Sequence, residues 1–246
     1  MKMVISYILT PIFFLFFGLT LVIFQPIQVV TRYIFGAKAH DKTVGALNFC
    51  LSKCLLILGT KLRFQNFRKL AIDEPVLIIS NHQSMWDISP IIWKLRKKRT
   101  KYIAKASLAK FIPSISYNLK YGGSVSIDRN DPAGSIEKIK QFAGFIAENK
   151  FAICIYPEGT RSRDGKVKVF KSSGIDAILE VIPNINVVPI AIKNTGKIDN
   201  DGKFNKTLGI KATFTMLAGR KIDRNNLAAD LETIRQEILG TIRDTK

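Results

Sequence analysis

The sequence predicts an α/β fold, in which a mixed, largely parallel sheet is covered by helices and follows an N-terminal, membrane-seated pair of helices. After residue 62, short apolar runs rich in β-branched residues alternate with amphipathic segments, as expected for strands separated by helices. Before that point the chain is apolar over two long stretches. We therefore divide the 246 residues into an anchoring element, residues 1–62, and a single larger domain, residues 63–246.

The anchoring element contains two apolar runs, at residues 4–24 and 44–60. The first is uncharged and reaches the ~20 residues needed to cross a bilayer, which is longer than the core of a cleaved signal peptide. The connection between the runs carries basic residues such as Arg32 and Lys38, which the positive-inside rule keeps in the cytoplasm. Either one helix spans the membrane, or both are seated from one side. Both arrangements leave the basic remainder on the cytoplasmic face of the inner membrane.

In the larger domain, apolar runs predict the strands, and capping residues mark where the helices begin. Ser89 before Pro90 and Asp131 before Pro132 are typical helix starts, and Asn226 is a candidate cap for the last helix. The predicted elements, in order, are a strand at 75–80, a helix from Ser89, a strand between the Gly122-Gly123 turn and Arg129, a helix from Asp131 to about 149, strands at 151–156, 187–192 and 210–217, and a helix at about 226–239.

The net charge of +19 predicts an anionic partner. Nucleic acid, an anionic bilayer and a phosphorylated substrate all satisfy this requirement, but no nucleic-acid reader motif or series of stacking aromatics accompanies the basic residues. The three cysteines are odd in number and lack neighbouring histidine or aspartate clusters. They predict reduced thiols, with neither a disulfide framework nor a metal site.

His82 is one of two histidines, and Asp87 is the only acidic residue between Glu74 and Asp128. On a regular helix, residues five apart differ by ~140° and do not share a face, but a loop between a strand and a helix can bring them together. A histidine oriented by a carboxylate is a common general base, because its unperturbed pKa lies near ~6.5. The alternative is a surface histidine followed by an unrelated aspartate.

A polar loop, residues 157–165, follows the predicted strand at 151–156. Open α/β sheets bind ligands at the carboxyl ends of their strands. Arg161 and Arg163 can offer planar, forked donors to a phosphate, and Arg129 ends another strand in the same manner. Taken alone, the loop is better explained as a solvated turn.

Four segments together resemble the glycerolipid acyltransferase family, and within it the 1-acyl-sn-glycerol-3-phosphate acyltransferases. Their order and spacing also resemble the family pattern. The second motif departs from it by carrying Ser-Val-Ser-Ile where bulkier apolar residues are common, which leaves the fit of the acyl chain open. The matching segments are the His-x4-Asp signature at 81–87, the second motif at 123–129, Glu-Gly-Thr-Arg-Ser at 158–162 and Val-Pro-Ile at 188–190.

This resemblance implies transfer of a fatty acyl group to the sn-2 hydroxyl of 1-acyl-sn-glycerol 3-phosphate (lysophosphatidic acid), forming phosphatidic acid. The donor would be a thioester of acyl carrier protein or of coenzyme A, with no other cofactor and no acyl-enzyme. His82 would be the general base and Asp87 would orient it. The larger domain would then be the catalytic domain, and the anionic phospholipid membrane would be a partner.

The resemblance also implies which residues bind the acceptor, with the arginines contacting its phosphate. Two alternatives remain at this point. The first is an acyltransferase that acts on another lysolipid or on glycerol 3-phosphate, and the second is a non-catalytic, basic membrane-binding protein. The implied acceptor-binding residues are Arg129, Glu158, Gly159, Thr160 and Arg161.

Overall fold

The computed structural model describes residues 1–106, 112–128, 130–162 and 164–244. Within these ranges the chain forms one mixed sheet with helices on both faces. The strands are β1 (Lys61–Gln65), β2 (Val76–Ser80), β3 (Lys101–Lys105), β4 (Val125–Ile127), β5 (Ala152–Ile155), β6 (Asn186–Lys193) and β7 (Lys211–Met216). The helices are α1 (Lys2–Cys54), α2 (Ile88–Lys94), α3 (Ile115–Tyr121), α4 (Pro132–Asn149), α5 (Ser173–Val181) and α6 (Leu227–Asp244).

The sheet has the strand order β1-β7-β6-β2-β5-β3-β4. Every neighbouring pair is parallel except β6 and β7, which confirms the prediction of a mixed, largely parallel sheet. Strand β2 is central and runs parallel to β5 on one side and β6 on the other. The carboxyl ends of these three strands therefore meet at one edge, where open α/β sheets bind ligands.

The central strand contributes to a core on each face of the sheet. All five of its residues are buried, and successive side chains point to opposite faces. Leu77 and Ile79 pack with buried residues of α4, α5 and α6, whereas Val76 and Ile78 join a second cluster beneath α2. Burial on both sides explains why β2 is an uninterrupted apolar run.

Several boundaries differ from the sequence predictions. Helix α2 begins at Ile88, one residue before Ser89, because a 3-10 turn at Met85–Asp87 leads directly into it. Asn226 closes the 3-10 turn that precedes α6, and Asp223 supplies that turn's cap. Two strands and two helices, β1, β3, α3 and α5, were not predicted. The two strands are short and rich in charged residues, so they lack the apolar signal of a buried strand.

Helix α1 is two helices joined at Gly36, whose backbone angles (φ 77°, ψ −173°) interrupt the helical conformation. By length and composition, Lys2–Leu58 is the one segment in the described residues that could cross a membrane. Phe13 and Leu51 face inward and are buried, while many other apolar side chains are exposed. The two helices match the expected pair, and the domain boundary at 62 remains a prediction. The exposed apolar residues include Ile8, Leu15, Phe16, Leu19, Val22, Ile23, Val30, Ile34 and Phe35.

We expect the full-length protein to remain on anionic phospholipid vesicles at about 1 M salt, where exposed charges more than ~3 Å apart are screened but apolar contacts persist. Replacing the exposed Val22 and Ile23 together by lysine should weaken this salt-resistant binding. Co-sedimentation measures the bound fraction. The matched control is Ile72→Lys, which charges an exposed apolar residue outside α1 and should leave binding unchanged. Release of the unsubstituted protein by salt alone would contradict apolar seating.

Candidate active site

The loop that carries His82 is fixed to the sheet by the residue before it. Asn81 Nδ2 donates to the Ile192 carbonyl at 2.8 Å, and Asn81 Oδ1 accepts from the Ile192 amide at 2.7 Å. The side chain thus continues the pairing between β2 and β6 beyond the last paired residue of β2. Ser80 Oγ also donates to the Ile190 carbonyl at 2.7 Å. His82 therefore leaves the sheet edge from a fixed starting point.

His82 and Asp87 are in direct contact. His82 Nδ1 lies 2.7 Å from Asp87 Oδ2, and the same oxygen accepts from the amides of Gln83 at 2.8 Å and Ser84 at 2.9 Å. The Asp87 side chain is fully buried. Ser84 caps the 3-10 turn at Met85–Asp87, which folds the carboxylate back towards the imidazole. His82 and Asp87 therefore come into contact through a tight turn, and not because they share one face of a helix.

This contact determines which imidazole nitrogen is available for chemistry. With the Asp87 carboxylate accepting a hydrogen from Nδ1, the neutral ring carries its lone pair on Nε2. The His82 side chain is 14% exposed, and among the described residues Nε2 has no hydrogen-bond partner. The site therefore presents an oriented nitrogen base to a molecule outside the protein.

Tyr156, the residue after β5, stacks against the imidazole of His82. Their ring centroids lie 4.1 Å apart with an interplanar angle of 17°. Burial, together with the neighbouring Tyr102, raises the pKa of Tyr156 well above its usual value, so its phenol stays neutral. Burial also raises the pKa of the Cys154 thiol to about 12, which leaves it protonated near neutral pH. Sequence reasoning missed Tyr156, although its position directly before the polar loop was a usable signal.

Glu158 and Ser162 hold the backbone of His82 from the neighbouring loop. Glu158 is buried; its Oε1 accepts from the His82 amide at 2.7 Å and its Oε2 from the Lys168 amide at 2.9 Å. Burial raises the pKa of Glu158, and these two amide hydrogen bonds oppose that rise. The Ser162 amide donates to the His82 carbonyl at 2.7 Å. Both carboxylate oxygens of Glu158 thus bind backbone, and its expected contact with a substrate remains a prediction.

The other implied acceptor-binding residues lie at the surface of the same loop. Gly159 has a φ of 70°, which favours glycine and turns the chain outward after Glu158. Thr160 and Arg161 are exposed, and Lys168 Nζ donates to Thr160 Oγ1 at 3.0 Å and to the Arg161 carbonyl at 3.1 Å. The Arg161 guanidinium makes no ion pair within the described part of the chain.

Two predicted arginines, Arg129 and Arg163, lie outside the described residues. A residue that sequence reasoning did not consider, Asp199, contacts the capped turn: it accepts from Ser84 Oγ and from Trp86 Nε1, each at 2.9 Å. It lies more than a hundred residues further along the chain, so no local pattern identifies it.

Comparison with known proteins gives several relatives that are named 1-acyl-sn-glycerol-3-phosphate acyltransferases. The chain is 32% identical over 126 residues to "1-acyl-sn-glycerol-3-phosphate acyltransferase LPAT1, chloroplastic" of Arabidopsis thaliana, an alignment that covers 51% of this chain and 34% of that protein. It is 24% identical over 193 residues to the 1-acyl-sn-glycerol-3-phosphate acyltransferase of Saccharomyces cerevisiae, covering 77% and 62%. The chain thus spans between about a third and two thirds of the length of these relatives.

The fold also has a counterpart among solved structures. The crystal structure titled as the 1-acyl-sn-glycerophosphate (LPA) acyltransferase, PlsC, from Thermotoga maritima superposes with a TM-score of 0.77 over 98% of this chain and 95% of that one. At 20% sequence identity, this likeness establishes the shared fold, including a mostly parallel sheet flanked by helices.

The family itself follows from the sequence match. A sequence model described as "Acyltransferase" matches residues 61–193, which is more than half of the 246 residues. The matched region contains the whole His82–Asp87 turn and the loop that begins at Glu158. The chain belongs to the Acyltransferase family.

Proposed function

We propose that this protein transfers a fatty acyl group from an acyl thioester to the sn-2 hydroxyl of 1-acyl-sn-glycerol 3-phosphate, forming phosphatidic acid. The observation that carries the proposal is the imidazole of His82, held by Asp87 with Nε2 available, beside the exposed cationic loop at Arg161. The names of the relatives from Arabidopsis thaliana, Saccharomyces cerevisiae and Homo sapiens, each a 1-acyl-sn-glycerol-3-phosphate acyltransferase, support this choice of reaction.

In the proposed reaction His82 acts as general base. As the acceptor hydroxyl attacks the thioester carbonyl, its proton passes to Nε2, because an alcohol is a weak nucleophile near neutral pH. The Asp87 carboxylate, 2.7 Å from Nδ1, stabilises the imidazolium that forms. Collapse of the tetrahedral intermediate breaks the carbon–sulfur bond, and the departing thiolate takes the proton from Nε2. The new ester and a free thiol are the products, and no acyl-enzyme forms.

The cationic loop would bind the phosphate of the acceptor. A guanidinium can make two parallel hydrogen bonds to a phosphate, and that of Arg161 is exposed on the loop whose Ser162 amide binds the His82 carbonyl. Gly159 and Thr160 would add backbone and hydroxyl donors, and Arg129 would add a second cation. The competing acceptors, another lysolipid or glycerol 3-phosphate, share parts of this chemistry.

The lipid acceptor and product place the proposed reaction at a bilayer. The exposed apolar residues of α1 and the net charge of +19 support seating on an anionic phospholipid membrane. We propose the cytoplasmic face of the inner membrane as the location. The acyl donor would be a thioester of acyl carrier protein or of coenzyme A, and the reaction would require no other cofactor and no metal.

We expect His82→Ala to lower kcat by about 10²–10⁴-fold, the usual contribution of a general base. The assay uses full-length protein in vesicles, with lysophosphatidic acid as acceptor, each of the two thioesters as donor, and determination of the acylated position. His40→Asn is the matched control, because His40 is the other histidine and its Nε2 contacts Gln28 within α1. A rate near that of the unsubstituted protein in His82→Ala would refute the base. Unchanged vesicle binding in that variant would exclude loss of the anchor as the cause.

We expect Arg161→Lys to raise the KM for lysophosphatidic acid by about tenfold, or ~1.4 kcal/mol, because an ammonium group cannot make the two-pronged contact. The effect should disappear with monoacylglycerol, which lacks the phosphate. Arg243→Lys, at an exposed position near the end of α6, is the control. If the unsubstituted protein has the same KM for acceptors with and without a phosphomonoester, Arg161 does not bind the phosphate. That result would favour another lysolipid as the acceptor.

We expect Glu158→Gln to lower kcat while leaving the KM for the acceptor within about twofold. The glutamine side chain keeps one acceptor oxygen but turns its NH2 group towards one of the two backbone N–H groups, those of His82 and Lys168. The buried donor left unpaired costs about 1–3 kcal/mol, which disturbs the contact that holds His82. Steady-state kinetics and the melting temperature measure the effect. A raised KM with an unchanged kcat would instead support direct contact between Glu158 and the acceptor.

A further inference from the structure

One carboxylate, that of Asp199, binds both sides of the turn that carries Asp87. Asp199 lies in a 3-10 segment, Gly196–Gly202, that follows β6. Its Oδ2 accepts from Ser84 Oγ at 2.9 Å, and its Oδ1 accepts from Trp86 Nε1 at 2.9 Å and from Lys206 Nζ at 3.2 Å. Two of these partners lie just before Asp87 in the chain: Ser84 by three positions and Trp86 by one.

These hydrogen bonds decide the geometry of the turn. Ser84 is fully buried, and its amide donates to Asp87 Oδ2 while its hydroxyl oxygen accepts from the Trp86 amide at 3.3 Å. A serine hydroxyl has a single hydrogen, and here it is given to Asp199. Without that carboxylate, the buried hydroxyl of Ser84 and the indole N–H of Trp86 would both lose their acceptor. Leaving buried donors unpaired raises the free energy of this arrangement of the turn.

The first half of α1 packs against the other side of the same turn. Trp86 is 4% exposed, and its ring meets Phe13 edge-on at 5.3 Å and Phe17 at 5.5 Å between centroids. The indole of Trp86 is thus held by two aromatic rings of α1 and, through its nitrogen, by Asp199.

Helix α1 is also tied to the segment that carries Asp199. Thr10 Oγ1 accepts from the Lys206 amide at 2.9 Å, and Ser6 Oγ donates to the Lys206 carbonyl at 2.5 Å. Lys206 therefore binds α1 through its backbone and Asp199 through its side chain. The apolar helix, the Asp199 segment and the turn before Asp87 form one continuous set of contacts.

We propose that Asp199 is a positioning residue for the His82–Asp87 pair. The first half of α1 is then a structural part of the active site as well as an anchor, because Phe13 and Phe17 pack on the turn and Lys206 links α1 to Asp199. Asp199 acts through Ser84 and Trp86 and does not touch the substrate. The inference rests on the proposed acyl transfer, and it links the seating of α1 to the geometry of the base.

The test compares full-length variants in the vesicle assay. We expect Asp199→Ala to lower kcat by between about tenfold and a hundredfold, as for a misplaced catalytic group, with the KM for lysophosphatidic acid within about twofold. Asp199→Asn retains one acceptor oxygen and should lower kcat by less than Asp199→Ala does. The matched control is Asp176→Asn. Asp176 lies on α5, and this variant removes its exposed ion pair with Arg224.

A second readout shows whether Asp199 acts through the turn. Trp86 and Trp93 are the only tryptophans, so in a Trp93→Phe background fluorescence reports on Trp86 alone. We expect Asp199→Ala to shift this emission. In a cycle with Trp86→Phe, which removes the indole N–H and keeps an aromatic ring, the combined loss in kcat should be smaller than the product of the separate losses.

The outcomes separate this inference from the proposed function. An unchanged kcat in a folded Asp199→Ala protein, or fully multiplicative losses in the cycle, would overturn the positioning role while leaving the acyl transfer intact. If Asp199→Ala does not fold, the same criteria apply to Asp199→Asn. Absence of acyl transfer by the unsubstituted protein with either donor would instead sink the proposed function, and the catalytic part of this inference with it.

Discussion

The site depends on one buried oxygen, Asp87 Oδ2, which accepts three N–H groups at once: the His82 ring nitrogen and the amides of Gln83 and Ser84. The two amide bonds fix the carboxylate on its own loop, so the imidazole meets an acceptor that is already oriented. In a buried setting this preorganisation matters, because a charged group held by N–H donors need not reorganise when the neighbouring ring gains a proton.

The surroundings of that oxygen come from the loop after β2, from β6 and from the segment that follows β5. Asn81 ties the loop to β6, Glu158 and Ser162 hold the backbone of His82, and Tyr156 stacks on its ring. Because β2, β5 and β6 are adjacent and parallel, their following loops converge at one edge of the sheet. The acidic groups there face inward onto N–H donors, whereas the cationic side chain of Arg161 faces outward. This distribution suits the anionic acceptor that we propose.

The apolar helix has two roles in this arrangement. In the proposed function its exposed side chains would provide a surface for lipid, whereas its buried ones, Phe13 among them, pack on Trp86 beside the His82–Asp87 turn. A reaction on a lipid hydroxyl requires the base to lie close to the bilayer surface. Contact between α1 and the turn would achieve this directly, because the helix that we propose to meet the membrane also packs against Trp86, the residue preceding Asp87.

The sequence alone determined the features that depend on local patterns. Helix α4 was predicted from its Asp131-Pro132 start and helical periodicity, β2 from its apolar run, and the candidate base from His82 and Asp87, five residues apart between a strand and a helix. Only the tertiary structure decided the order of the strands, the inward direction of Glu158 and the part played by Asp199. Asp199 is 113 residues from Trp86 along the chain, and a hydrogen bond at that separation imposes no periodicity or local propensity on either segment. Such contacts exist only once the sheet has brought its loops to a common edge.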